Sequence, residues 1–109
     1  MYRQGRSVSN RHLVLYSFPN DSLERPRLGL SVSRKVGGAV ERNRVKRLLR
    51  EAFDAVQPEL REGHDVVVVA RPEAQDLAER EGLAGIDAAL LELLARSGLC
   101  AGEAVPNAD

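Results

Sequence analysis

The first third of the chain carries the alternation of apolar and polar positions that is typical of β-strands. One such segment runs from Val8 to Phe18, with β-forming side chains at every second position of its later part. After a turn-forming stretch at residues 19–22, a second strand is predicted from Arg27 to Ser33. Its apolar face consists of Leu28, Leu30 and Val32, and its other face of Arg27, Gly29, Ser31 and Ser33. This other face is flat and polar, so a base or a backbone could approach it closely.

The middle of the chain changes to a helical period. Gly37 and Gly38 break the chain, and a helix is predicted from Ala39 to about Val56, ending before Pro58. A stripe of apolar side chains along this helix indicates the face that packs on a core. The stripe consists of Val45, Leu48, Leu49, Ala52, Phe53 and Val56.

Two further elements are predicted in the second half. The segment from Asp65 to Arg71 contains four consecutive valines, and a short β-branched run of this kind is typical of a strand buried on both faces. Pro72 ends this strand. A second helix is predicted from Ile86 to Ala95, with Gly98 as its stop signal. The order β-β-α-β-α, with room for a further strand in the first segment, predicts an α+β fold with helices packed on a sheet in two layers.

The length of 109 residues indicates one domain, which we expect to span residues 1–98, with residues 99–109 as a flexible tail. No run approaches the ~18 apolar residues of a membrane span, and the first residues lack the apolar segment of a signal peptide. Cys100 is the single cysteine of the sequence, which excludes an internal disulfide and fits a cytoplasmic protein.

Charge is divided unevenly along the chain, although the formal net charge of the whole is zero. Residues 1–50 hold twelve Lys or Arg against three Asp or Glu, a net charge of +9. Residues 51–109 hold four against thirteen, a net charge of −9. Such asymmetry favours contact between the first half and a polyanion. A solvated surface with accidental segregation of charge is the alternative.

The predicted first helix places its basic residues in rows. Arg42, Lys46 and Arg50 are spaced at i, i+4 and i+8, and like charges at this spacing repel one another unless an anion lies nearby. Guanidinium groups pair bidentately with phosphate, and an asparagine can both donate and accept at a base edge or a sugar hydroxyl. The candidate polyanion-binding residues are Arg34, Lys35, Arg42, Asn43, Arg44, Lys46, Arg47 and Arg50. A solvated amphipathic helix is the alternative that the pattern alone leaves open.

Other classes of function find less support in the sequence. A metal-dependent protein nuclease needs carboxylates that converge on a cation, and Asp21, Glu24 and Glu41 lack ligand-like spacing. Cys100 has no paired base within reach by sequence. A DNA-binding helix-turn-helix needs two helices joined by a short turn, whereas the basic helix here lies between strands. A ribosomal-type RNA-binding protein without a role in cleavage stays open.

Residues 29–53, GLSVSRKVGGAVERNRVKRLLREAF, resemble the signature of the ribonuclease P protein family. That signature is a G-L-S-V-S strand, a basic pair, a glycine loop, and a helix that opens with R-N-R. The matching parts are Gly29–Ser33, Arg34–Lys35, Gly37–Gly38 and Arg42–Asn43–Arg44, followed by Lys46, Arg47 and Arg50. More loosely, the resemblance extends over roughly the first 97 residues.

The resemblance implies an α–β sandwich with a left-handed β-α-β crossover around the R-N-R helix. It implies the protein subunit of ribonuclease P, an endoribonuclease that removes the 5′ leader from precursor tRNA and whose RNA carries the chemistry. Magnesium would be bound through that RNA, with no cofactor on the protein alone. The expected partners are the ribonuclease P RNA and precursor tRNA, with neither DNA nor a membrane, and the protein is otherwise expected to be a monomer.

The resemblance also assigns two surfaces. The R-N-R helix and the basic pair before it would face the catalytic RNA. A cleft between sheet and helix would hold the single-stranded leader, whose bases stack on aromatic side chains. The expected cleft residues are Tyr2, Tyr16, Ser31 and Ser33. A buried strand aromatic is an equally open interpretation of Tyr16.

Two features depart from the family pattern. The family is strongly basic overall, whereas this chain has a sequence pI near 6.7. The family also begins with a basic N-terminal helix, of which residues 1–5 match the last turn and its glycine. We therefore expect the true reading frame to begin about 15–25 residues upstream, a length taken from helices of ordinary size.

Overall fold

The computed structural model describes residues 6–19, 26–60 and 63–99. Tyr2 and the expected helix end at residues 1–5 lie outside the described residues, as do residues 100–109 of the expected tail. The elements in chain order are β1 (Arg6–Ser9), β2 (Leu13–Pro19), β3 (Leu28–Val32), α1 (Ala39–Val56), a short 3-10 helix (Gln57–Glu59), β4 (His64–Ala70) and α2 (Glu73–Ser97).

Within the described residues, the strands form a four-stranded sheet in the order β1-β2-β4-β3. β1 pairs with β2, and β2 with β4, in antiparallel fashion, whereas β3 and β4 are parallel. Parallel neighbours need a crossover connection, and α1 provides it. The predicted α+β fold with helices on a sheet and a β-α-β crossover is therefore confirmed, while the hand of the crossover stays a prediction.

The core lies between one face of the sheet and the two helices, which also pack against each other. Leu13 and Leu15 of β2 are fully buried there, beside Val66 and Val68 of β4. The predicted stripe of α1 faces this core, with Leu48 half-buried at its margin. Each fully buried side chain of this size contributes about 1.5–3 kcal/mol to folding. The buried residues of α2 include Ile86, Leu90, Leu93 and Leu94.

The valine run of β4 is buried on one face, so the prediction of burial on both faces is wrong. Val66 and Val68 are fully buried, but Val67 and Val69 are half-buried. The reason is that both helices cover the same side of the sheet. Among the described elements, no helix or strand covers the other side, which we call the open face.

The first predicted strand is a hairpin rather than one strand. β1 and β2 pair in register, with Arg6 opposite Ser17 and Ser9 opposite Val14, and residues 10–12 form the turn between them. This outcome fits the further strand that the first segment allowed. The turn contains neither glycine nor proline, and Asn10 is its one turn-favouring residue, so the sequence signal for it is weak.

The second helix is much longer than the predicted Ile86–Ala95. It begins at Glu73, directly after Pro72, and contains a break at Gly82 with φ 61° and ψ −144°. The sequence signal of its first half is weak because this half faces the core mainly with small residues. Gly98 ends the helix with φ 83°, as predicted. The chain then packs Leu99 into the core, with 3% of its surface exposed, so order extends at least one residue past the expected boundary.

Candidate nucleic-acid interface

The register of the sheet gathers three chain segments at one end. Leu13 at the start of β2 and Val32 at the end of β3 both lie opposite Ala70, the last residue of β4. The turn before β2, the loop after β3 and the junction between β4 and α2 therefore meet at this end. Arg71 of that junction donates its backbone N–H to the carbonyl oxygen of His12 at 2.9 Å, which ties the junction to the turn.

The loop between β3 and α1 presents Arg34 and Lys35 to solvent from a fixed backbone. The backbone N–H of Val36 donates to the carbonyl oxygen of Ser33 at 3.0 Å, and that of Lys35 donates to Ser33 Oγ at 3.2 Å. Val36 is buried, which anchors the loop to the core, while both basic side chains are exposed. Ser33 thus shapes the loop with its hydroxyl oxygen and keeps an O–H that can donate to a ligand.

Gly37 allows this loop to enter α1 without a clash. A Cβ atom at Gly37 would lie 2.8 Å from Cβ of Glu41, which real Cβ atoms do not tolerate. α1 then begins at Ala39, and the backbone N–H of Arg42 donates to the carbonyl oxygen of Gly38 at 2.9 Å. The basic pair and the basic helix are therefore joined by a tight glycine connection, as the sequence pattern suggested.

The basic residues of α1 fall on two adjoining strips. Arg42 and Lys46 are half-buried beside the apolar stripe. Further around the helix, Asn43, Arg44, Arg47 and Arg50 are exposed. Val40, 70% exposed, lies on the outer strip one turn before Arg44.

None of the seven basic side chains of the loop and α1 is neutralised by a described acid. Over residues 6–19, 26–60 and 63–99, ion pairs within 4.0 Å involve Arg27, Arg80 and Arg96 instead. In addition, Arg42 Nε is buried and makes no hydrogen bond to the described residues. A desolvated donor without a partner is costly, and an anion that reached it would offset this cost. The arrangement therefore suits a polyanionic partner.

The open face of the sheet carries exposed aromatic side chains. Tyr16 and Phe18 follow each other at i and i+2 on β2, and each is 38% exposed. The alternative in which Tyr16 is buried is therefore wrong. Tyr16 lies opposite Val67 of β4, which in turn lies opposite Gly29 of β3. Across these three strands, the open face therefore presents an aromatic ring at Tyr16 and no side chain at Gly29. Ser31, also on β3, is exposed on the same face.

Three further residues, beyond those predicted from the sequence, belong to these surfaces. Phe18 shares the open face with Tyr16, a relation that the i, i+2 spacing already contained. Arg11 is exposed in the β1–β2 turn, and Arg71 is exposed at the end of β4. Both lie at the same end of the sheet as Arg34. No spacing rule links these three arginines, because strand register alone brings them together.

In the described portion, no group of three or more His, Cys, Asp or Glu side chains is arranged to hold a metal ion. No helix of the described residues is both long enough and apolar enough to span a membrane.

A family model and the sequence relatives of this chain agree on one protein family. The family model described as Ribonuclease P matches residues 1–94. The ribonuclease P protein component of Shouchella clausii is 49% identical over 81 residues, which cover 74% of this chain and 66% of that protein. The component of Clostridium novyi is 42% identical over 100 residues, covering 91% of this chain and 85% of its relative.

Solved structures agree with the sequence relatives. The RNase P protein of Staphylococcus aureus, at 33% identity, superposes with a TM-score of 0.75 over 90% of this chain and 85% of that chain. The RNase P protein of Thermotoga maritima, also at 33% identity, gives a TM-score of 0.75 over 86% of this chain and 84% of that chain. From its matched residues and its fold, this chain belongs to the ribonuclease P protein family.

Proposed function

We propose that this chain acts as the RNA-binding protein subunit of ribonuclease P through two surfaces. The loop after β3 and the basic strips of α1 bind the ribonuclease P RNA. The open face of the sheet binds the single-stranded 5′ leader of precursor tRNA. The complex removes that leader by endonucleolytic cleavage during tRNA maturation. The chain works in the cytoplasm and is a monomer apart from its RNA partners.

The observation that carries the proposal is the set of basic side chains without acidic partners among the described residues. An isolated domain gains nothing from seven such cations on one loop and helix, since they repel one another. A folded RNA supplies closely spaced phosphates and releases counterions when cations replace them. The acids of α2 pair in part with its own arginines, Arg80 and Arg96, so this helix offers little to a polyanion.

The open face is suited to a single strand rather than a duplex. Single-stranded bases stack on aromatic side chains and need an adjacent surface that is free of bulky side chains. Tyr16 and Phe18 lie two positions apart on the strand, about 7 Å at ~3.4 Å per residue. The glycine and serine positions of β3 leave room for the backbone of the strand. Arg34 stands at the end of this face, where the leader would pass to the RNA subunit.

In this division of roles, the RNA partner carries the cleavage chemistry and its magnesium, and the protein binds and positions the RNAs. The protein holds the leader and the RNA subunit in a fixed relation, which raises the effective concentration of the scissile bond at the RNA's site. Its contribution is therefore positioning and electrostatic attraction.

A pull-down followed by RNA sequencing tests the proposal against a ribosomal role. The tagged chain, expressed in bacterial cells, should enrich ribonuclease P RNA together with precursor tRNAs over ribosomal RNA. A variant with Arg44→Ala and Arg47→Ala should lose this enrichment, while Arg80→Ala, which removes a cation from α2, should retain it. Enrichment of ribosomal RNA in place of ribonuclease P RNA would contradict the proposed function.

A further inference from the structure

The turn between β1 and β2 is closed by the side chain of Asn10. Its Oδ1 atom accepts hydrogen bonds from the backbone N–H groups of His12, at 3.0 Å, and Leu13, at 2.9 Å. The backbone N–H of Asn10 donates to the carbonyl oxygen of Leu13 at 3.0 Å. Asparagine favours such turns because its side-chain carbonyl takes the place of a backbone carbonyl.

The other half of the same amide holds the turn against α2. Nδ2 of Asn10 donates to the carbonyl oxygen of Ala89 at 3.1 Å and to Oε1 of Glu92 at 3.0 Å. The amide therefore uses two acceptor and two donor positions, which is its full capacity. Its orientation follows from the partners, because backbone N–H groups only donate and a backbone carbonyl only accepts.

A second tie joins the same turn to the same helix. Arg96 Nη1 donates to the carbonyl oxygen of Ser9 at 3.0 Å and lies 3.6 Å from Oε2 of Glu92. Ala89, Glu92 and Arg96 are spaced at i, i+3 and i+7, so they share one face of α2. The acidic helix, remote in sequence from the basic half, thus fixes the entry to β2.

This turn places Arg11 at the end of the sheet where Arg34 and Arg71 also lie. Arg11 follows Asn10 directly, is exposed, and makes no ion pair with the described acids. The backbone carbonyl oxygen of His12 accepts the backbone N–H of Arg71. The backbone that carries Arg11 is therefore held by the hydrogen bonds of Asn10, while its guanidinium group remains available to a partner.

We infer that Asn10 is a positioning residue for RNA binding. By tying the β1–β2 turn to α2, it holds Arg11 where its guanidinium group adds a phosphate contact to those of the loop and α1. The inference rests on the proposed RNA-binding function. The physical reason is preorganisation. A turn that is not held in place would have to be ordered on binding, and the conformational entropy lost in that step would lower the affinity.

The salt dependence of binding tests this role. The target is ribonuclease P RNA transcribed in vitro and mixed with precursor tRNA, and the Kd of the full chain is measured over a series of salt concentrations. Arg11→Ala should make the slope of log K against log salt shallower by about 0.7–0.9, the value of one phosphate contact. Asn10→Ala removes no charge, yet it should produce the same shift. The two substitutions together should add little to either alone.

A conservative variant separates the tie to α2 from the turn itself. Asn10→Asp keeps the acceptor for His12 and Leu13 but loses both donors and faces the carboxylate of Glu92. We expect it to shift the slope as Asn10→Ala does. Adding Glu92→Gln restores a donor opposite the new carboxylate and should return the slope toward the wild-type value. Should Asn10→Ala fail to fold in a thermal melt, this pair of variants carries the test.

Three results would overturn the inference. The first is a wild-type slope of log K against log salt in folded Asn10→Ala and Asn10→Asp. The second is a double variant, Asn10→Ala with Arg11→Ala, in which the two shifts in slope simply add. The third is an Arg11→Ala variant that binds as the wild type does. Each leaves RNA binding through α1 intact. A wild-type chain that does not bind the RNA at all would instead overturn the proposed function, and the positioning role with it.

Discussion

Tyr16 lies opposite Val67 in the antiparallel register of β2 and β4, and both side chains point to the face of the sheet that no described helix covers. This pairing fixes which residues of the neighbouring strands can meet a ligand. Alternate residues of β4, Val66 and Val68, are fully buried under the helices. A shift of one residue in register would exchange the two sets, so the open face depends on the core that pins it.

The aromatic pair on this face should determine leader affinity. Replacing Tyr16 or Phe18 with Ala should weaken binding of precursor tRNA by about 1–3 kcal/mol for each stacked base that is lost. Binding of mature tRNA, which lacks the leader, should not change. Affinities of the reconstituted complex for the two RNAs provide the measurement.

Leu83 provides a matched control for the aromatic pair. It is an apolar side chain of similar exposure, 42%, but it lies on α2. Leu83→Ala should leave the affinity for precursor tRNA unchanged. Equal losses for Leu83→Ala and Tyr16→Ala would mean that the effect is not local to the open face.

Binding of the ribonuclease P RNA should weaken steeply with salt. If about five phosphates are neutralised by the loop and α1, the slope of log K against log salt should be roughly −3.5 to −4.5. Filter binding or fluorescence titration between low and moderate salt measures it. A slope near zero is incompatible with an electrostatic interface.

Residues of α1 should separate cleanly into RNA-binding and core roles. Arg42→Ala and Lys46→Ala should each lower RNA affinity while changing the free energy of unfolding by no more than about 0.5 kcal/mol. Both are only half-buried, and neither makes an ion pair with the described acids, so truncation removes little stabilising contact. Thermal melts and RNA titrations on the same preparations provide the comparison.

Leu49→Ala should show the opposite pattern. Leu49 is fully buried, so its truncation should cost on the order of 2–5 kcal/mol of stability. At temperatures where the variant remains folded, its RNA affinity should stay near the wild-type value. An Arg42→Ala variant that melts as early as Leu49→Ala would show that the faces of α1 are assigned wrongly.

Gly85 should be required for packing within α2. A Cβ atom at this position would lie 2.7 Å from Cβ of Glu81 and 2.9 Å from Cδ1 of Leu77. Gly85→Ala should therefore cost about 1–3 kcal/mol of stability through overpacking. Gly29→Ala is the contrasting variant, since its new Cβ would meet Val67 at an ordinary 3.4 Å. Equal melting temperatures for the two variants would contradict the packing described for α2.

The sequence predicted α1 well because two independent signals agree there. The glycine pair marks its start, and the apolar stripe from Val45 to Val56 marks its buried face. The first half of α2 lacked such agreement, since Ala74 and Ala78 fill core positions with little hydrophobic signal and Gly82 interrupts the period. Tertiary packing, rather than local pattern, keeps that half helical.

The candidate site divides in the same way. Residues contributed by one element, such as Arg44 and Arg47, follow from helical spacing. Arg11 and Arg71 cannot be predicted from spacing, because strand register between distant segments brings them to the same end of the sheet. The one-sided burial of β4 was mispredicted for a related reason: four valines in a row look the same whether one face or two faces are covered.

The central claim is that α1 and the open face of the sheet bind two different RNAs. Site-specific photocrosslinking tests it most directly, with a photoreactive amino acid in place of Val40, Tyr16 or Leu83 in turn, in the reconstituted complex with precursor tRNA. Val40 is suited because it stands on the outer strip of α1 and carries no charge that binding would need. We predict crosslinks to ribonuclease P RNA from position 40, crosslinks to the 5′ leader from position 16, and no crosslink from position 83. Crosslinks from position 16 to ribonuclease P RNA alone, or from position 40 to the leader alone, would contradict the account.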